Sequence, residues 1–234
     1  GNRFLRIEGG AIGLEPNFGI IDSEDSDKLL KKAVEETYPR FFADKDNPRS
    51  KLLREIISYA RNTLVSIKSA MAYRFSWIET PSEMIDEIAR AYDAEKRATN
   101  NCDFDDLLEL WLRLLSENPD ILRRYSDRFK NILVDEYQDT NKLQSEILDL
   151  LASRGNLSAV GDDAQCIYSW RGAEIDNILC FRERYPAAYI YKIERNYRSS
   201  PQILKFANGI LEKMPLDDDE YKKTLVPARE GVCK

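Results

Sequence analysis

The sequence predicts an α/β protein in which an all-helical block precedes a parallel sheet. Three observations carry that prediction. Apolar residues recur at helical spacing through roughly the first hundred positions. After Lys130, short apolar runs appear at Asn131–Val134, Leu157–Val160 and Tyr189–Ile193, the first two ending abruptly in carboxylates. Helical patterns lie between those runs, and strands that alternate with helices imply a parallel sheet covered on both faces.

The elements follow in order. A first helix is predicted over about Asp27 to Glu36, and a longer one over Ser50 to Lys68, with Leu52, Leu53, Ile56, Ile57, Ala60 and Leu64 on one face. Thr80 reads as an N-cap, with Pro81 at the first helical position and Glu83 closing a capping box, for a helix that continues to Arg97. From Asp103 to Leu115, the residues Phe104, Leu107, Leu108, Trp111, Leu112 and Leu115 form one wide apolar stripe. Asn118-Pro119 opens a short helix. Further helices are predicted at Lys142–Ala152, Glu174–Arg184 and, after an N-cap at Ser200 and Pro201, up to Lys213. Met214–Lys234 is polar and irregular and reads as a linker.

Composition excludes several chemistries. The 234 residues contain no histidine, so histidine bases, Ser-His triads and His-ligated zinc are ruled out. Cys102, Cys166, Cys180 and Cys233 are never spaced C-x-x-C, which argues against a zinc ribbon or a redox pair and for free thiols in a reducing cytoplasm. The apolar runs are far too short to span a bilayer, and the opening residues lack the pattern of a secretory leader. Net charge is −6, yet Lys28–Arg74 holds eleven Lys/Arg against five Asp/Glu, a local +6. That stretch is either a phosphate-binding face on an acidic protein or an ordinary solvated helix surface.

Asp135 and Glu136 stand at the carboxyl end of the first apolar run, where parallel sheets gather ligands. One carboxylate there can hold Mg²⁺ against nucleotide phosphates, and its neighbour can orient and deprotonate an attacking water. Taken alone, the pair also fits two solvent-facing acids ahead of the next helix.

The wider pattern separates these readings. DEYQDT at 135–140, VGDDAQCIYSWRGA at 160–173 and ERNYRSS at 194–200 occur in that order. Together they resemble the second, third and fourth motifs of superfamily 1 DNA helicases of the UvrD/Rep/PcrA type. DFDDLL at 103–108 and the opening stretch, with Phe4-Leu5-Arg6 and Asn17–Asp22, are similar to segments of the same family. The resemblance implies part of a RecA-like P-loop NTPase parallel sheet with an inserted all-helical subdomain. Residues 1–102 would be that subdomain with a flanking segment. Residues 103–213 would be the second half of the first motor domain, and 214–234 a linker toward a second.

The resemblance also implies roles. Asp135 and Glu136 would form the Mg²⁺ pair, with Glu136 also the general base. Gln165 would contact the γ-phosphate of ATP, Arg198 would stabilise charge on the transferring phosphoryl group, and Tyr197 would stack on adenine. Tyr168, Trp170 and Arg171 would meet single-stranded DNA. ATP and Mg²⁺ would be the cofactors, and single-stranded DNA and single/double-strand junctions the partners, in a cytoplasmic enzyme moving 3′→5′.

Two departures stand out. Cys166 occupies a position where serine is common in the family. No G-x-x-x-x-G-K-[ST] loop occurs anywhere in the 234 residues. The expectation is therefore an internal fragment without the phosphate-cradling loop or the second motor domain. Its sheet would keep a gap or an exposed edge, and alone it would not turn over ATP. Two other readings stand beside it. One is an ATP-independent DNA- or protein-binding module using Lys28–Arg74, Tyr168 and Trp170. The other is part of a helicase–nuclease subunit, although no nuclease carboxylate motif occurs in these residues.

Overall fold

The structure, a computed structural model, describes residues 1–152, 155–168, 172, 175–213 and 221–228. Helix α1 (Asn2–Glu8) and strand β1 (Gly19–Ile20) come first. Helices α2 (Ser23–Thr37), α3 (Ser50–Asn62), α4 (Ile67–Arg74) and α5 (Ser82–Ala98) follow. Asp22 starts α2 by accepting the backbone N–H groups of Glu24 and Asp25 at 2.8 and 3.0 Å. Leu30 and Val34 of α2, Leu53, Ile56 and Ile57 of α3, and Ile85 and Ile88 of α5 close a first apolar core. The period-3.6 pattern dictates this, since each helix buries one stripe.

Two expectations in this block are corrected. The helix predicted over Ser50–Lys68 is two helices broken after Asn62. Leu64 turns into the left-handed region at φ 55°, and the Ser66 hydroxyl caps α4 by accepting Ser69 N at 3.1 Å. A local cap outcompetes the continuing apolar stripe. Thr80 does not cap α5 either. Its hydroxyl is buried and donates to Asn47 Oδ1 at 2.8 Å, and the helix begins after Pro81 with no side-chain cap.

Strand β2 (Asn101–Cys102) pairs in parallel with β1 and leads into α6 (Phe104–Glu117) and α7 (Pro119–Arg128). Strand β3 (Ile132–Val134), helix α8 (Lys142–Leu151) and strand β4 (Leu157–Ala159) come next. The short helices α9 (Asp176–Leu179) and α10 (Phe181–Arg184) precede strand β5 (Arg195–Asn196), helix α11 (Pro201–Leu211) and strand β6 (Val226–Pro227). Asp103 and Asp106 cap α6 reciprocally, each side chain accepting the other's backbone N–H at 2.9 and 2.8 Å. A second core joins Leu5 and Phe18 to Leu114, Leu115, Ile121, Ile147 and Leu151, so the first twenty residues pack with α6–α8. Phe104, placed on the apolar stripe by its spacing, is exposed, while Leu114 is buried.

β3 and β4 are parallel, with Ile132 opposite Leu157 and Val134 opposite Ala159. The expected cover on both faces fails here, because Leu133 is 80% exposed. The expected third strand at Tyr189–Ile193 also fails. Those residues form no ladder, Tyr189, Tyr191 and Ile193 are exposed, and β5 begins only at Arg195. A strand needs a neighbour for its backbone groups, and among the described residues none runs beside 189–193. Glu174–Arg184, expected as one helix, is the pair α9 and α10 over its described part.

A charged seam joins the two cores. Lys96 of α5 is 2% exposed, and its Nζ lies 2.8 Å from Asp103 and 2.7 Å from Asp106. Arg61 of α3 pairs with Asp93 and Asp106. Burial opposes ionisation of Asp103, but Lys96 holds its carboxyl below the ordinary value. Burial first, and then the charge on Asp103, push Asp106 up to about 6.

Candidate active site at the ends of β3 and β4

β3 stops at Val134, and its last ladder bond is Val160 N to Val134 O at 2.8 Å. The chain then turns sharply. Glu136 sits in the left-handed region at φ 51°, ψ 45°, with its N–H donating to Asp135 Oδ1 at 3.0 Å. For a residue other than glycine this costs on the order of 1–3 kcal/mol, a strain that folds retain where a side chain must be aimed. Both carboxylates are exposed at the strand end.

Gln138, only 1% exposed, lies under this turn. Its Nε2 donates to Glu136 Oε2 at 2.8 Å, and its Oε1 accepts the N–H of Asp162 at 2.9 Å. Each end of the amide faces the one partner type it can bond, so its orientation is fixed. Gly161, at the end of β4, makes room for it. A Cβ there would stand 2.7 Å from Gln138 Oε1 and 2.9 Å from Ile178 Cδ1. Asp162 Oδ2 in turn accepts Gln165 Nε2 at 2.6 Å. Glu136, Gln138, Asp162 and Gln165 therefore form one unbroken hydrogen-bonded chain across the ends of two parallel strands.

Lys223 closes the far side by bonding both Asp162 and Asp163. Burial opposes ionisation of Asp162, but the bonds from Lys223 and Gln165 hold its carboxyl below the ordinary value. Burial and then the Glu136 charge push Asp139 the other way, upward. Cys166 donates its thiol to the Gln138 carbonyl at 3.4 Å, a contact that a serine hydroxyl could also make.

Tyr197 and Arg198 follow β5, with exposed side chains. Asn196 Oδ1 shapes their turn by accepting Arg198 N at 3.0 Å and Ser199 N at 2.8 Å. Among the described residues, no hydrogen bond or ion pair joins Arg198 or Tyr197 to the Glu136 chain. The link is indirect, since Thr224 N donates to Glu194 Oε1 at 2.7 Å while Lys223 holds Asp162. Tyr168 is exposed beyond Gln165. Trp170 and Arg171 lie outside the described residues, as does most of 214–234.

Among the described residues, no group of three or more acidic or sulfur ligands forms a closed metal cage. Two adjacent exposed carboxylates suit Mg²⁺, which keeps several waters and shares its coordination with substrate phosphates. Among the described residues no helix is long and apolar enough to cross a membrane.

Three residues of this arrangement were not singled out in the sequence. Gln138 had a signal, as an amide two positions from a paired acid in a short turn. Asp162 was overshadowed by Gln165 in the same motif. Lys223 had none, because it lies in a polar stretch that reads as linker.

Comparison with known proteins extends these observations. Residues 1–186 match the family described as the UvrD/REP helicase N-terminal domain. The chain is 40% identical over 210 residues to the ATP-dependent DNA helicase PcrA of Leuconostoc citreum, covering 89% of this chain and 27% of that protein. It is 37% identical to the ATP-dependent DNA helicase Rep of Escherichia coli K12, covering 90% of this chain and 30% of that protein. It is 36% identical to the ATP-dependent DNA helicase PcrA of Staphylococcus epidermidis, covering 99% of this chain and 31% of that protein. The chain thus spans less than a third of the length of these relatives.

Proposed function

The chain belongs to the UvrD/REP helicase family, and from that premise we propose that it supplies the water-activating and DNA-contacting half of an ATP-driven DNA motor. The observation that carries this reading is the hydrogen-bonded chain from Glu136 through Gln138 and Asp162 to Gln165. It joins the residue proposed to activate water to the residue proposed to contact the γ-phosphate.

In this reading Asp135 would hold Mg²⁺, which would neutralise phosphate charge when bound, and ATP is the substrate. Glu136 takes the proton of the attacking water, and the Gln138 amide keeps its carboxylate aimed. Gln165 donates its amide N–H to the transferring group in place of Asp162. Arg198 brings positive charge to the same oxygens, the main requirement of phosphoryl transfer. Tyr197 presents an exposed ring suited to stacking on adenine. Tyr168, Trp170 and Arg171 bind single-stranded DNA without regard to sequence, since every base offers a face for an aromatic ring. The finer fold is a RecA-like sheet with an inserted helical subdomain, acting in the cytoplasm, 3′→5′, at single/double-strand junctions.

The 234 residues contain no G-x-x-x-x-G-K-[ST] loop, the element that cradles nucleotide phosphates in this class of site. On their own they therefore do not turn over ATP, whereas the proposed DNA face does not depend on that loop. Equilibrium binding of a fluorescent oligothymidylate to the chain tests the DNA face. Affinity should fall steeply with salt and drop about fivefold or more in Trp170→Ala, the loss of one stacked base. Unchanged affinity in that variant would remove the aromatic face from the proposal.

A further inference from the structure

The end of α3 carries a buried amide with no part in the chemistry above. Asn62 is 7% exposed. Its Nδ2 donates to the Ser58 carbonyl at 2.9 Å and to Asp105 Oδ1 at 2.9 Å. Its Oδ1 accepts Asn141 Nδ2 at 2.7 Å. Asp105 is the second residue of α6. Asn141 follows DEYQDT directly and caps α8 through a reciprocal bond pair with Gln144. One side chain therefore ties the helical block to α6 and to the segment that begins at Asp135.

A fourth element meets the same point. Gly172, at φ 82°, lies so close that a Cβ there would stand 3.0 Å from Thr63 Cγ2, 3.6 Å from Asn62 Cβ and 4.0 Å from Asn141 Cβ. Gly172 directly follows Trp170 and Arg171 in the motif proposed to contact DNA. The backbone break after Asn62, with Leu64 left-handed, creates the corner on which Gly172 rests.

We infer that Asn62 is a positioning residue: with Thr63 it sets the surface on which Gly172, next in sequence to the residues proposed to contact DNA, lies against the Asp135–Asn141 segment. The inference rests on the DNA-face reading above, but its geometric half stands independently. An amide suits this post. It donates to a carboxylate on one side and accepts from an amide on the other, and these directional bonds fix three elements in one register. A hydrophobic residue of equal size would fill the space without setting that register.

The test exchanges the charge across one bond. Asn62→Asp keeps the acceptor facing Asn141 but sets a carboxylate oxygen against both Asp105 and the Ser58 carbonyl; adding Asp105→Asn restores a donor across the first gap, and the Ser58 hydroxyl, 3.1 Å from Asn62 Nδ2, can turn to donate to the same oxygen. Hydrogen–deuterium exchange of peptides covering 166–178 and oligothymidylate binding are measured on the chain. Loss of one such buried bond corresponds to about tenfold. Asn62→Asp should therefore raise exchange around Gly172 about tenfold and weaken DNA binding about tenfold, and the double variant should restore both. Unchanged exchange at Gly172 in Asn62→Asp overturns the inference. So does a double variant that regains native exchange in α3 and α6 but not at Gly172, which marks a merely structural role. If exchange responds and DNA affinity does not, the link to DNA is overturned. If the unmodified chain binds no oligothymidylate, the DNA-face reading fails while the exchange data still decide the joint. Should Asn62→Asp not fold, Gly172→Ala crowds the same contact, and native exchange and affinity in that variant overturn the inference.

Discussion

Gln138 holds Glu136 from beneath: its side-chain Nε2 lies 2.8 Å from Glu136 Oε2, while its Oε1 accepts the Asp162 N–H at 2.9 Å. A carboxylate on a strained turn is thereby tied to the neighbouring strand end. Gln138→Leu should remove both bonds and leave the Asp162 N–H without its partner. The expected cost is about 1–3 kcal/mol in urea unfolding, and unchanged stability would contradict the tie.

Gly161 is required by that same amide. Gly161→Ala places a Cβ 2.7 Å from Gln138 Oε1 and 2.9 Å from Ile178 Cδ1. One neighbour is a bonded amide and the other a packed methyl, so relief is limited. Thermal unfolding should register a loss of about 1–3 kcal/mol. A neutral result would mean that the two strand ends can separate freely.

Leu64 should be better replaced by glycine. It is partly exposed and sits at φ 55°, a conformation that costs a branched side chain roughly 1–2 kcal/mol. Leu64→Gly loses little burial and relieves that strain. We expect a gain of about 0.5–1 kcal/mol after the glycine's extra unfolded-state entropy, measured as a higher melting temperature. A clear fall would show that Leu64 packs more than its exposure suggests.

The seam around Lys96 predicts a pH dependence. Lys96→Met leaves Asp106 paired with Arg61 and Asp103 with only the Tyr92 hydroxyl and its backbone cap, and removing one partner of a buried pair costs about 3–5 kcal/mol. The Asp106 carboxyl, raised to about 6 from 3.8 in the folded protein, costs stability fully above about pH 6 and nothing below 3.8. Without Lys96 that cost grows. Asp103, held low beside Lys96 in the unmodified chain, contributes stability above 3.8 that is lost on acidification. Both effects make the deficit of Lys96→Met largest above pH 6 and smaller toward pH 4. A pH-independent deficit would contradict this assignment.

Much of this was legible in the sequence where local rules dominate. Helical spacing placed α2, α5, α6, α8 and α11 within a few residues, and Asp135-Glu136 falls at the end of a parallel strand as its position after an apolar run implies. Other features depend on contacts between distant residues. Thr80 looks like a cap, but Asn47 takes its hydroxyl. Tyr189–Ile193 has the composition of a strand, yet composition does not supply a neighbour. Gln138 and Asn62 gain importance only when β4, α6 and α8 close on them, and a single-chain spacing pattern carries no trace of that.

The most direct test of the account is ATP turnover stimulated by single-stranded DNA, in the longer protein proposed to contain these residues, compared with its Glu136→Gln variant. The account predicts a fall in kcat of about a hundredfold or more, the contribution of a positioned general base, with KM for ATP little changed because the variant keeps the shape of the site. Turnover within twofold of the unmodified protein would contradict the assignment of Glu136.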